Sequence, residues 1–197
     1  MKILGINCLN HDAAVSVIED GKILFAAHSE RYSREKNDMY LNNDIMSKAF
    51  SYGEPDKIAY YERPWIKKTR QLYAGQYNEV FNLNNLPINY LKPWLKGRKI
   101  SYIDHHMSHA AAGYYTSKFD EAAILVIDGI GEWDVLTIWH GKGNNIKKIH
   151  SIKYPHSLGL FYSAATQAID LKPCEEEYIL MGMSGWGKDK HWKQLKN

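Results

Sequence analysis

Two cysteines in 197 residues are too few for a disulfide framework. Cys8 falls in an apolar stretch and reads as a buried thiol. No apolar run approaches the roughly 18 residues that a membrane-spanning helix needs. Met1-Lys2-Ile3 leads straight into a strand, without the apolar segment and small-residue cleavage site of a secretory leader. A cytoplasmic setting with no membrane contact is therefore expected. An excess of one charge is also missing, with 25 Lys and Arg against 22 Asp and Glu. The last ten residues alone hold four lysines and one aspartate, so the rest is near neutral. Such a body offers no basic face to a polyanion, and nucleic acid is not expected as a partner. The dinucleotide fingerprint is absent too, because Gly129 and Gly131 lead into a strand rather than a helix.

Apolar residues are present in the amount a core needs. They make up 45% of the chain, with 14 Tyr and 6 Trp. Ile3 to Asn7, Ala13 to Ile18 and Lys22 to Ala27 read as strands, the last two joined by the hairpin signal Asp20-Gly21. Asn42 or Asn43 can cap a helix ending at Phe50. Lys57 to Tyr61 reads as a strand, and Pro64 opens a helix. Asn78 to Pro93 reads as a mostly irregular connection. Lys99 to Ile103 is a strand, His105 to Ser117 a helix, and Ala122 to Ile127 an apolar run expected of a central strand. Asp134 to His140 and Ile146 to Ile152 form a further antiparallel pair, and Leu158 to Ile169 is helical. The glycines at 182, 185 and 187 argue against one helix through that segment. The order implies an α/β fold with a mixed sheet and flanking helices, and no internal repeat is visible.

The chemistry concentrates in Asp104-His105-His106-Met107-Ser108-His109. Residues four apart share a helix face, so His105 and His109 can aim at one ion. Asp104 is placed to cap that helix. His106 points elsewhere, toward hydrogen bonding around the ion or toward a ligand. Two histidines do not complete a metal site, and Asp128 at the end of a strand can supply a carboxylate directly or through water. The alternative is a helix whose histidines make ordinary hydrogen bonds. Ala110, Ala111, Ala112 and Gly113 permit close packing on a sheet whatever the histidines do.

Asp128-Gly129-Ile130-Gly131-Glu132 reads as a hairpin turn whose glycines admit positive φ and bring backbone N–H groups near a phosphate. A plain Asp-Gly turn is the alternative. The loop Asn7 to Asp12 stands in the corresponding place beside its own hairpin. His156 and Ser157 precede a helix, where Ser157 suits a cap and His156 a surface or ligand contact.

Together these segments resemble the N-terminal part of carbamoyltransferases of the nodulation and antibiotic-tailoring type. The carrying motifs are Asn10-His11-Asp12-Ala13-Ala14, Asp104 to Ala111, Phe119-Asp120-Glu121-Ala122-Ala123, Asp128 to Trp133, Pro155 to Ser163, Glu177-Tyr178 and Leu180-Met181-Gly182. The resemblance runs from Met1 to about Gly187. It implies two-domain enzymes whose N-terminal domain resembles the tRNA threonylcarbamoyladenosine protein, with an actin-like, ribonuclease H-like fold. A later domain makes carbamoyl-adenylate from carbamoyl phosphate and ATP. The N-terminal domain transfers the carbamoyl group to a hydroxyl of a small acceptor.

Carried to this chain, the resemblance makes His105 and His109 ligands of a divalent metal, iron by implication, with Asp128 beside them. It makes His11 the general base, and puts Asp12, Gly129, Gly131 and Glu132 near the nucleotide. Asp104, His106 and His156 become supporting or substrate-contacting groups. Departures occur at the C-terminal end, where Ile179 replaces an expected lysine and Met183-Ser184-Gly185-Trp186-Gly187 replaces a Leu-Ala-Pro-Tyr-Gly. The expectation is one incomplete lobe over residues 1–187, a flexible basic tail over 188–197, and a missing opposing lobe with a further aspartate ligand. Such a chain is a fragment or half of a split enzyme, and it invites a complementary lobe or self-association. The competing reading is a non-catalytic metal- or nucleotide-binding partner. A tRNA-modification protein of the same fold is a third, less favoured by Asp128 to Trp133 and Pro155-His156-Ser157.

Overall fold

The computed structural model describes residues 1–188, 190 and 191. It opens with an antiparallel meander of β1 (Lys2–Asn7), β2 (Ala14–Glu19) and β3 (Lys22–His28). Asp20 and Gly21 turn the hairpin at φ 48° and 80°, the left-handed pair that matches strand twist. After α1 (Glu30–Ser33), the Asn42 side chain accepts from the backbone N–H of Asp44 and Ile45 and starts α2 (Asn43–Phe50). Next come β4 (Lys57–Tyr60) and α3 (Pro64–Tyr73), the latter entered through its proline. The segment expected to be irregular instead forms short helices, α4 (Tyr77–Phe81), a 3-10 turn, α5 (Pro87–Tyr90) and α6 (Lys92–Leu95). Its prolines sit at first-turn positions, where no N–H is lost to the helix. Then β5 (Ile100–Tyr102) completes a mixed sheet of order β3-β2-β1-β4-β5, with β1, β4 and β5 parallel. This is the α/β, ribonuclease H-like strand order expected.

The core lies on one face of this sheet. Leu4, Ile6, Val15, Val17, Ile58 and Tyr60 alternate toward Ile45, Met46 and Ala49 of α2 and toward Leu91 and Leu95. The sheet's parallel strands end near Tyr60 and Tyr102. Beyond the latter, α7 (His105–Tyr115) begins.

A second, separate sheet follows, with β6 (Glu121–Gly131), β7 (Asp134–Lys142) and β8 (Asn145–Lys153) in antiparallel order. The apolar run in β6 is thus an edge strand, not a central one. Val126 is buried, while Leu125 and Ile127 are exposed. Continuous hydrophobicity marked two apolar faces, and only one is covered within the described residues. Ala110 of α7 packs with Val126 and Trp139, but Ala112 and Gly113 face outward. The helix therefore uses only part of its small-residue run for close packing.

The chain continues through α8 (Leu158–Gln167) and α9 (Glu177–Met183). The latter includes Gly182 but ends at Met183 and gives way to a 3-10 turn at Ser184–Trp186, so no single helix runs through the glycine-bearing segment, as expected. Residues 1–187, expected as one lobe, hold two sheets, each starting as a three-stranded meander followed by helix. That recurrence is topological and left no sequence repeat to read. Of the expected basic tail, Asp189 and residues 192–197 lie outside the described residues. Among the described residues no helix is long and apolar enough to cross a membrane.

Replacing fully buried Ile45 by alanine should cost about 2–5 kcal/mol in urea denaturation. Ile149→Ala, at an exposed position, should stay within about 0.5 kcal/mol. Equal costs would contradict this placement of the core.

Candidate functional site

Helix α7 starts at Asp104, whose carboxylate accepts from the backbone N–H of Met107 at 2.9 Å. One helical turn separates His105 from His109, so both rings project from one face. Their Nε2 atoms lie 3.2 Å apart. Across from them, Asp128 Oδ2 is 3.1 Å from His105 Nε2. One donor atom from each of His105, His109 and Asp128 falls within 4.8 Å of the others. Close packing of the second sheet makes the approach possible. A β-carbon on Gly131 would collide with His105 Cδ2.

Glycine matters here through space, not through turn geometry. Gly129 and Gly131 do not adopt positive φ, and the expected hairpin turn at 128–132 is instead a bulged continuation of β6. The reversal occurs at Glu132 and Trp133, with Glu132 at φ 59°. Gly159 at the start of α8 is equally tight, since its β-carbon would meet Gly129 Cα at 2.8 Å. Ser157 caps α8 by accepting from Leu160 N–H, and its hydroxyl donates to the Gly129 carbonyl at 2.7 Å. Residues 128–129 are thereby held from both sides.

Electrostatics set the cluster's resting state. Burial works against a charge on His105, but the contact with Asp128 and the nearby Glu62 carboxylate outweigh it and lift the ring to about 9. Burial likewise opposes the Asp128 charge, and His105 overcomes it, taking the carboxyl down to about 2. Without a metal the two are an ion pair. His106 is fully buried and held down by desolvation and then by the nearby His105 charge. Its Nδ1 meets Thr137 Oγ1 at 2.9 Å, while its Nε2 is buried without a partner, 4.0 Å from Asp128. His109 is lowered by desolvation and by His105, and His11 adds to the effect.

His11 stands on the loop between β1 and β2, exposed, with Nδ1 2.9 Å from Asp12 Oδ2. A carboxylate only accepts, so this contact places the proton on Nδ1 and leaves the Nε2 lone pair outward. Left-handed backbone at Leu9 and Asp12, φ 69° and 49°, turns the loop back on itself. The structure thus brings His105, His109, Asp128 and His106 together, with His11 near them. His156 is not drawn in. It is exposed, and among the described residues its side chain makes no hydrogen bond or ion pair.

Glu132 faces the protein. Its buried carboxylate accepts from Arg63 at the backbone N (2.7 Å) and at Nε (2.9 Å), and pairs with the guanidinium NH2. The same guanidinium donates to Asp104 Oδ2 at 2.7 Å, and Lys148 joins at 3.2 Å. Sequence reasoning passed over Glu62 and Arg63, between a strand and a helix. Glu62 is buried and aims Oε2 at His105 Nδ1, 3.7 Å away. The available signal was a charged pair just past the carboxyl end of a parallel strand, where α/β sheets gather ligand groups.

A family model described as the carbamoyltransferase N-terminus matches residues 2–71 and 43–196. An uncharacterized protein of Synechocystis is 33% identical over 96% of this chain and 35% of its own length. One from Methanocaldococcus jannaschii is 30% identical over 95% of this chain and 34% of its own. The nodulation protein NolNO of Sinorhizobium fredii is 26% identical over 92% of this chain and 28% of its own. The chain thus spans about a third of the length of these curated relatives. Among solved structures, the Aquifex aeolicus PPX-GPPA enzyme aligns with 95% of this chain and 64% of its own at 15% identity, with a TM-score of 0.42.

A cation held by this cluster would have to displace the His105 proton. Zinc affinity should therefore rise about tenfold per pH unit between 7 and 8.5, and level off above about 9. Titration at a series of pH values checks this, and a flat profile contradicts it. Gly131→Ala should push His105 aside and weaken zinc binding at least tenfold.

Proposed function

The chain belongs to the carbamoyltransferase family, matching its N-terminal region, and on that premise we propose that it supplies the metal-and-acceptor side of an O-carbamoyl transfer. The donor is carbamoyl-adenylate, made from carbamoyl phosphate and ATP by a further domain, as the family resemblance implies. The acceptor is a hydroxyl of a small molecule. The observation that carries this reading is the meeting of His105, His109 and Asp128 donors within 4.8 Å.

Two imidazoles and a carboxylate suit a divalent transition metal, and we assign iron to the site by family. The unpartnered Nε2 of buried His106 beside Asp128 also fits a site built for a further polar occupant. Such an ion, when bound, polarises an oxygen of the donor. The remaining work falls to side chains. The acceptor oxygen bonds to the carbamoyl carbon, whose bond to the adenylate oxygen breaks. AMP leaves with the electron pair, and the hydroxyl proton passes to His11 Nε2. Asp12 holds His11 in the required tautomer. Gly129 and Gly131 leave the donor room to approach the backbone. Glu132, its carboxylate engaged by Arg63, contributes to the nucleotide side through its backbone. Asp104 fixes the start of α7.

The site is open on one side, and this bears on partners. Leu125, Ile127, Ile149, Leu158 and Phe161 are exposed. Among the described residues, edge strand β6 is paired only on its β7 side. In the first sheet the corresponding side of β1 carries the parallel strand β4. A complementary lobe supplying such a strand, or self-association, would cover this surface. The same observation favours the second reading, a non-catalytic metal- or nucleotide-binding partner subunit. Both readings place the protein in the cytoplasm, without nucleic acid or membrane.

Purified chain with carbamoyl phosphate, ATP, ferrous iron and a hydroxylated acceptor should form no carbamate ester. Turnover free of contaminating enzyme would contradict this. Supplied with carbamoyl-adenylate and the complementary portion of a relative, it should transfer. No transfer under those conditions would favour the non-catalytic reading. In that system His11→Ala should lower the rate about 100-fold or more, at a stability cost under about 1 kcal/mol. Full activity would remove His11 as the base. Metal content unchanged in both His105→Ala and His109→Ala would overturn the metal site.

A further inference from the structure

His105 has two ring nitrogens facing two different carboxylates. Nε2 faces Asp128 at 3.1 Å and His109 at 3.2 Å. Nδ1, on the other side of the ring, is buried and lacks a hydrogen-bond partner. The group opposite Nδ1 is Glu62 Oε2 at 3.7 Å. A shift of about half an ångström would bring the pair into hydrogen-bonding range. The ring cannot easily turn away. Tyr61 lies edge-on to it at 5.2 Å between centroids, and Gly131 closes over Cδ2.

Glu62 is itself fixed. Its Oε1 accepts from Lys67 Nζ at 2.8 Å, so Oε2 remains for His105. A buried carboxylate is costly unless paired, and Lys67 meets that need. Balancing the pair also sets the charge of the site. Glu62 and Lys67 cancel, leaving Asp128 as the net negative group beside the two imidazoles. A divalent cation there would keep one net positive charge to attract an anionic donor.

We infer that Glu62 is a positioning residue: anchored by Lys67, its carboxylate accepts a hydrogen bond from His105 Nδ1–H and presents the Nε2 lone pair to a cation shared with His109 and Asp128. The inference rests on the metal reading proposed above and adds to it the group that fixes the ligand's tautomer. Carboxylates in this role raise the basicity of the ligating imidazole and hold its plane. The fold supplies the arrangement directly. Glu62 follows β4, and Ser108 of α7 donates to the Tyr61 carbonyl at 2.9 Å, which locks helix and strand end together.

The test uses zinc as the probe on the intact chain. Glu62→Gln keeps the volume and removes the charge. Zinc affinity should fall about 10–100-fold, with a thermal midpoint close to wild type. Long-range proton–nitrogen NMR of the zinc-loaded wild type should show His105 protonated at Nδ1 and metallated at Nε2. A residue needed only for packing would move neither readout. Lys67→Met, which frees Glu62 from its anchor, should weaken zinc binding by a smaller factor, and it keeps the test open if Glu62→Gln fails to fold. Wild-type zinc affinity in the folded variants, with His109→Ala still abolishing binding, would overturn the role of Glu62 alone. Zinc binding untouched by His109→Ala would instead remove the metal reading, and this inference with it.

Discussion

The guanidinium of Arg63 joins the parts of this protein that must agree for a site to exist. It follows β4 in the first sheet. It grips Glu132 at the hairpin tip of the second sheet and Asp104 at the start of α7. A planar fork with several fixed donors can hold two carboxylates at once in a set geometry. Glu132 is buried, so without Arg63 its charge would stand uncompensated in the interior. The orientation of the two sheets, and hence the distance from His105 to Asp128, depends on this contact. Lys148 from β8 and the Arg70 contact to the Glu132 carbonyl reinforce it.

The chemistry then rests on a division of labour between backbone and side chain. Glycines at 131 and 159 let β6, α7 and α8 approach more closely than β-carbons would permit. Charged groups fill what that approach creates. Glu62 and Asp128 face opposite edges of one imidazole, and His109 completes the group from one turn further along the helix. The His11–Asp12 pair stands on a hydrogen-bonded loop between β1 and β2, tied by Asn7 to the Asp12 carbonyl. One set suits holding a cation, the other moving a proton.

Much of this was legible in the residues. Asp20-Gly21 announced its hairpin, Asn42 its helix, and the His105 to His109 spacing its shared face, because each depends on local geometry alone. A mixed sheet with flanking helices followed from the order of strand and helix signals, and the ribonuclease H-like form from the family resemblance. What was hidden depended on distant contacts. An apolar run such as Ala122 to Ile127 looks the same in a central strand and in an edge strand with an uncovered face. Gly129 and Gly131 looked like turn residues, whereas neither adopts positive φ and Gly131 serves to admit a ring from α7. His106 finds Thr137 across 31 residues of sequence. Glu62 and Arg63 carried no motif, and only the fold shows that one addresses His105 and the other Glu132.

The most direct measurement is anomalous diffraction from crystals of the chain grown with ferrous iron or zinc, collected on both sides of the metal edge. A single peak should lie within about 2.3 Å of His105 Nε2, His109 Nε2 and an Asp128 oxygen. Glu62 should have closed to hydrogen-bonding distance of His105 Nδ1. A peak elsewhere, or His105 and Asp128 still joined as an ion pair with the metal in excess at pH 8, would contradict the assignment of this cluster as the metal centre.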